Sequence, residues 1–377
     1  MSEVKTMEFI DLKVQYRLYK KEIDQKIQNN IDNATFINGK DVTELENKLA
    51  EYTGVKYAVG CSSGTDALWI PLLAYGVKQG DEIITTPFTF AATVEVIAMC
   101  GAKPVFVDID EKTYNIDVTQ IEKKITPRTR GIITVSLYGQ CADMDKINEI
   151  AKKHGLFVIE DGCQSFGAVY KGKKSCGLSD VGATSFFPSK PLGCYGDGGM
   201  IFTNNKELAD KMRSIVNHGQ QGRYNHVYLG LNFRLDTLQA GIMLAKFEHF
   251  DKEANDRHRI GGMYSEMLNS IAPGKNTGVI TPYIADYTTR CVYAQYSIMI
   301  ENRDAVSKKL GEKGIPTAVH YPVPMHLQPA YKYLEHSAGD FPVSENVGKK
   351  ILSLPMHPFL KEEDVKLVTR SVMECRS

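Results

Sequence analysis

The chain has no charge imbalance. Its 45 Lys and Arg are matched by 45 Asp and Glu across 377 residues. Nucleic-acid and membrane-surface binding usually need a basic field, so neither is indicated, while a local basic pocket for a small anion stays open. None of the eight cysteines forms a C-x-x-C pair, which argues against a zinc ribbon or a thioredoxin-like motif, and no metal site is expected. Scattered from Cys61 to Cys375, they read as reduced, mostly buried thiols. No run of about 18 apolar residues is present, so no membrane span is expected. The opening MSEVKTMEFIDLKVQY lacks an apolar signal-peptide core, and the expected compartment is the cytoplasm. The sequence also lacks a Walker A loop, a G-x-G-x-x-G fingerprint, internal repeats and low-complexity segments.

What is present is an ordinary globular mixture, 43% hydrophobic and 24% charged, long enough for two domains. Residues 11–33 read as a first helix. DVTELENKLAEYTG (41–54) reads as a second, with Asp41 or Thr43 as cap and Gly54 as its end. A beat then repeats: short β-branched runs (KYAVGCSS, DEIITTP, KPVFVDID, RGIITVSLYG, LFVIEDG, VGATSFFP) alternate with helical patterns, and GGMIFTN reads as a hairpin's return strand. This predicts βαβ units and an α/β fold, with a mostly parallel sheet between helices. A helical stretch over 234–268 bridges to a C-terminal α+β unit. The expected division is a large domain over 1–250 and a small one over 251–377, with the N-terminal helix packing on the small domain.

In such sheets ligands bind beyond the carboxyl ends of the strands. CSSGTDAL, TTPFTF, SLYGQ, EDGCQ and SFFPSK all fall there. Ser62 to Thr65 open a helix, and a helix N-terminus can serve as a phosphate site or simply carry a Ser/Thr cap. Asp161 ends an apolar strand, where a carboxylate is costly unless paired, although it could cap the next turn. Lys190 follows Phe186 and Phe187 and precedes a glycine-rich turn. Burial there would lower its pKa and make it a nucleophile able to form a Schiff base. A Schiff-base lysine, an acid for a pyridine nitrogen, a helix terminus for a phosphate and an aromatic ring (Phe88 or Phe90) together match pyridoxal phosphate chemistry.

SSGTDAL, TPFTF, VSLYGQCADM, IEDGCQSFGA, SFFPSKPLGCYGDGG and NFRLDTLQA carry a resemblance over almost the whole chain. The sequence resembles the DegT-type sugar aminotransferases, pyridoxal-phosphate enzymes of fold type I. The resemblance implies that Lys190 is the Schiff-base lysine and proton shuttle, and that Asp161 pairs with the pyridinium nitrogen. It implies that Gln164 contacts the cofactor hydroxyl, that Gly64, Thr65 and Ser185 hold the phosphate, and that Phe90 stacks on the ring. Asn232 would reach the phosphate from the neighbouring subunit of a homodimer with shared sites. A subset of the family has histidine in place of the lysine and dehydrates sugars; lysine here favours transamination. Within the family the sequence looks most like enzymes that aminate carbon 3 of a UDP-linked 3-keto N-acetylhexuronic acid for surface polysaccharide such as O-antigen, with L-glutamate as donor. Arg234, His320 and Tyr321 would then bind substrate. A guanidinium suits a sugar carboxylate, yet Arg234 could instead serve the dimer interface or a nucleotide phosphate, and His320 could be a satisfied core histidine. The alternatives are amination of a 4-keto or a 6-deoxy 3-keto sugar, and a non-catalytic, cofactor-binding regulator.

Overall fold

The computed structural model describes residues 7–270 and 278–376. Among the described residues, nine strands precede the long helix: β1 (Tyr57–Cys61), β2 (Glu82–Thr85), β3 (Lys103–Phe106), β4 (Thr129–Val135), β5 (Phe157–Asp161), β6 (Val169–Tyr170), β7 (Lys173–Lys174), β8 (Val181–Ser185) and β9 (Gly199–Thr203). Seven of them form one sheet in the order β1-β9-β8-β5-β4-β2-β3. Only β9 runs against the rest, pairing antiparallel with β1 and β8, so the hairpin return lies inside the sheet.

Strand alternation explains why these runs read as continuously apolar. Ile84, Ile132, Val158 and Phe202 enter one core, while Ile83, Ile133, Ile159 and Ile201 enter another. Successive side chains point to opposite faces, and helices cover both. The helices Gly64–Ala74 and Lys206–Val216 supply Leu68, Met212 and Ile215 to the second core. Helix Lys40–Thr53 supplies Leu45 and Leu49 to the first. That helix ends as expected at Gly54, in the left-handed conformation. Its start differs: Gly39 is the N-cap, and Asp41 lies buried in the first turn, accepting from Asn30 Nδ2 at 2.9 Å. Asp41 is held by a tertiary partner, which local capping rules do not register.

Helix Thr237–Ser270 runs from one unit to the other. Met243, Leu244 and Phe250 pack in the first core, whereas Ile260, Tyr264 and Leu268 pack in a third. That third core is shared with β12 (Tyr296–Ile300), β13 (Ile351–Leu354) and helix Glu362–Cys375. With β10 (Val279–Ile280), these strands form a small antiparallel sheet, β10-β12-β13, and β11 (Thr288–Arg290) pairs with β6. The N-terminal helix Leu12–Asp32 packs Ile23 on Ile242 and Ala245 of the long helix, and just before it the Phe9 carbonyl accepts from Met356 N–H.

Candidate active site

The carboxyl ends of β1, β2, β4, β5 and β8 share one edge and border a cavity of about 430 Å³. The registers produce this convergence. Asp161, the last residue of β5, sits opposite Val135 of β4 and Ala183 of β8. β8 then delivers Ser185 two residues further on, followed by the turn that bears Lys190. Asp161 and Lys190, 29 positions apart in sequence, are thereby brought to the step between neighbouring strands.

Nine sequence-derived candidates line this cavity together: Gly64, Thr65, Phe90, Asp161, Gln164, Ser185, Lys190, His320 and Tyr321. Helix Gly64–Ala74 is capped by Ser63, whose Oγ accepts from Asp66 N–H at 3.1 Å. The first amides of a helix have no carbonyl one turn back, so those of Gly64 and Thr65 offer donors and positive potential at the cavity rim. Gly64 is required by close approach: a Cβ there would lie 2.5 Å from Ser185 Cβ. The missing side chain brings the helix amides and the Ser185 hydroxyl side by side, as a phosphate cradle needs.

Burial separates the two aromatic candidates. Phe88 is fully buried in the core, while Phe90 is 57% exposed at the cavity, its ring 6.0 Å from that of Tyr321. Asp161 is buried, with Oδ2 accepting from Thr93 Oγ1 at 2.8 Å and Oδ1 from Cys163 N–H at 3.2 Å. Gln164 is fixed at both ends: Oε1 accepts from Tyr138 N–H at 2.8 Å, and Nε2 donates to Tyr321 Oη at 2.9 Å. SLYGQ thus acts through a backbone amide. Tyr138 has φ +57°, and its hydroxyl donates to the His320 carbonyl.

His320 lines the cavity with Nδ1 3.0 Å from Ser353 Oγ, which in turn lies 2.9 Å from Ser297 Oγ. Burial, and then the nearby Lys190 charge, pull its pKa down to about 4. Burial and the Arg257 charge do the same to His357. An unfolded histidine takes up its proton near pH 6.5, so between 6.5 and about 4 the unfolded chain binds more protons and stability falls as pH falls. We expect the melting temperature to drop across pH 6.5 to 5, above the main carboxylate range, and to drop less in His320→Asn. An unchanged slope in that variant would remove His320 as a source.

Within one chain, Asn232 and Arg234 stay out of this cavity. Between them Phe233 is buried, its carbonyl accepting from Ser62 N–H at 2.7 Å, and Asn232 is exposed. Arg234 donates to Asn217 Oδ1 at 2.7 Å and lines a separate cavity of about 260 Å³ with Glu46, Arg213 and Asn217. Sequence reading missed Thr93 as the partner of Asp161. It also missed Thr89, Asp197 and Gln295 as lining residues. Thr93 lies one turn inside helix Ala91–Met99, and nothing local in the sequence links it to a residue on β5.

No helix among the described residues is long and apolar enough to cross a membrane, and no cluster of three or more His, Cys, Asp or Glu could hold a metal. All eight cysteines are free.

Residues 18–373 match the DegT/DnrJ/EryC1/StrS aminotransferase family. The chain is 51% identical to a UDP-2-acetamido-2-deoxy-3-oxo-D-glucuronate aminotransferase of Pseudomonas aeruginosa, covering 96% of this chain and 98% of that one. It is 46% identical to a protein named pleiotropic regulatory protein in Geobacillus stearothermophilus, over 97% of each chain. A crystal structure of ntda from Bacillus subtilis with bound cofactor PMP aligns at TM-score 0.88 and 30% identity, over 97% of this chain and 83% of that one. An exposed aromatic face, a glycine-made anion cradle, a buried carboxylate and an amine around one cavity are the groups that a pyridoxal phosphate needs. The chain belongs to the DegT/DnrJ/EryC1/StrS aminotransferase family and is a pyridoxal-phosphate-dependent sugar aminotransferase.

Proposed function

We propose that the chain aminates carbon 3 of UDP-2-acetamido-2-deoxy-3-oxo-glucuronate with L-glutamate as donor, in the cytoplasm, for a surface polysaccharide such as O-antigen. The observation that carries the substrate is the 51% identity, over nearly the full length of both chains, to an aminotransferase named for that sugar.

The bound cofactor supplies an electron sink for the carbon–hydrogen bond that is broken. The chain supplies the rest. Lys190 Nζ would hold the cofactor and would take the proton from the donor's α-carbon. The Asp161 carboxylate, held by Thr93 and the Cys163 amide, would keep a proton on the cofactor's ring nitrogen. With the cofactor bound, Gly64, Thr65 and Ser185 would hold its phosphate, Phe90 would stack on its ring and Gln164 would meet its hydroxyl. His320 and Tyr321 contact the sugar; a neutral His320 does so as a hydrogen-bonding group, not as a cation.

The active form is a homodimer with shared sites, in which Asn232 of the partner subunit reaches the phosphate and the partner's Arg234 takes the sugar carboxylate. Supporting this, Phe36, Ile37, Leu229 and Leu231 are each roughly half exposed or more, an apolar surface suited to a second copy.

The similarity to a protein named as a regulator favours a second reading, a cofactor-binding regulator. One experiment separates the two. Enzyme treated with L-glutamate and desalted is mixed with the UDP-linked 3-keto uronate, and the visible cofactor band is followed. Rapid return of the band is the expected result. Return only with a 4-keto or 6-deoxy sugar would overturn the substrate. No change with glutamate or any sugar would favour the regulator.

A further inference from the structure

Lys246 lies with only 2% of its surface exposed in the long helix, which supplies Met243, Leu244 and Phe250 to the first core. No carboxylate of the described residues lies within ion-pair distance of its ammonium. Burying a charge in that way costs several kcal/mol, and an apolar residue of similar volume is commonly the more stable choice. Its hydrogen bond and its ring contact both belong to one segment. The ammonium donates to the Gly193 carbonyl and lies 5.1 Å from the centre of the Tyr195 ring. Two helical turns earlier on the same face, Gln239 Oε1 accepts from Tyr195 N–H at 2.9 Å.

That segment is the turn bearing Lys190. It is tightly folded: Lys190 N–H donates to the Phe187 carbonyl at 2.9 Å, and Cys194 N–H to the Phe186 carbonyl at 2.8 Å. A Cβ at Gly193 would stand 2.6 Å from both the Phe187 and Pro188 carbonyl oxygens. The turn is therefore stiff, and a displacement of Gly193 carries Lys190 with it. Reactive groups lose rate when moved by fractions of an ångström.

We propose that Lys246 is a positioning residue, one that sets the place of the Lys190 turn from beneath through the Gly193 carbonyl and the Tyr195 ring. The inference rests on Lys190 being the cofactor lysine. Burial also draws the Lys246 pKa down to about 8, against an upward pull from the buried Glu253 carboxylate two turns further along the same helix.

The test is Lys246→Met in the holoenzyme. The rate of band loss on adding L-glutamate is expected to fall about tenfold. The midpoint of the band's own pH titration should move, and thermal stability should stay level or rise because a buried charge has gone. A merely structural lysine predicts the opposite pattern, with stability lost and the rate per folded molecule and the midpoint unchanged; that result would overturn the proposal. Lys246→Gln provides the same comparison if the methionine variant does not fold. Borohydride reduction of wild-type holoenzyme followed by peptide mapping separates the two readings. A tag on Lys190 with unaltered Lys246 variants sinks this inference alone, whereas a tag elsewhere sinks the site assignment as well.

Discussion

Lys190→Ala is expected to abolish transamination, with a fall of roughly 10³-fold or more in the rate with glutamate. On the proposed assignment, one amine both holds the cofactor and moves the proton, so alanine removes two functions at once. The fold should survive, because Lys190 sits half-buried on a turn at the cavity and has no side-chain partner in either core. The variant should therefore retain noncovalently bound cofactor, melt close to wild type and show no borohydride tag. Mixing it with an Asn232→Ala variant probes the shared site. If each site draws its lysine from one subunit and Asn232 from the other, mixed dimers hold one intact site and regain part of the activity. Failure to regain any, with subunit exchange verified, would place both residues in the same chain's site. A turnover rate in Lys190→Ala near wild type would remove the lysine from the chemistry.

Asp161→Asn should cost about 10²-fold in the same half-reaction while leaving cofactor bound. Asparagine keeps the size and one acceptor oxygen, so the bond from Thr93 Oγ1 can persist. What disappears is the negative charge that keeps the facing ring nitrogen protonated. Rate and cofactor content are read on the same sample. Near-normal turnover would excuse Asp161 from the role, and loss of cofactor in step with activity would make it a binding residue instead. Thr93→Val offers a graded version, because it leaves the carboxylate in place but takes one of its two donors.

Much of this site is legible in the sequence, for a topological reason. Parallel strands carry their downstream loops to one edge, so SSGT, FTF, EDGCQ and SFFPSK could be assigned to one place before any contact was known. Gly64, Thr65, Asp161, Gln164, Ser185 and Lys190 indeed meet there. The illegible parts are those where a side chain is held by a distant partner. Thr93 meets Asp161 only because helix Ala91–Met99 lies across the end of β5. Asp41 reads as a cap and is in fact clamped by Asn30 and Lys26. Phe88 and Phe90 are equivalent as letters, and only the turn after β2 decides which faces inward. Arg234 shows the remaining difficulty: two residues from Asn232, it sits in a different cavity of its own chain, and a single subunit cannot bring it to Lys190.

The placing of β9 bears on the order in which the molecule is made. β1 and β8 are not neighbours; β9 lies between them and pairs with both. The cradle joins the helix after β1 to the serine ending β8, so it cannot close until residues 199–203 have entered the sheet. On the proposed assignment, a chain still emerging from the ribosome thus has its helix amides and its Asp161 strand before it has a place for the cofactor. Bound cofactor then stabilises the completed sheet alone, by about 2.7 kcal/mol when supplied at a hundred times its dissociation constant. Supply of the vitamin becomes a check on finished folding.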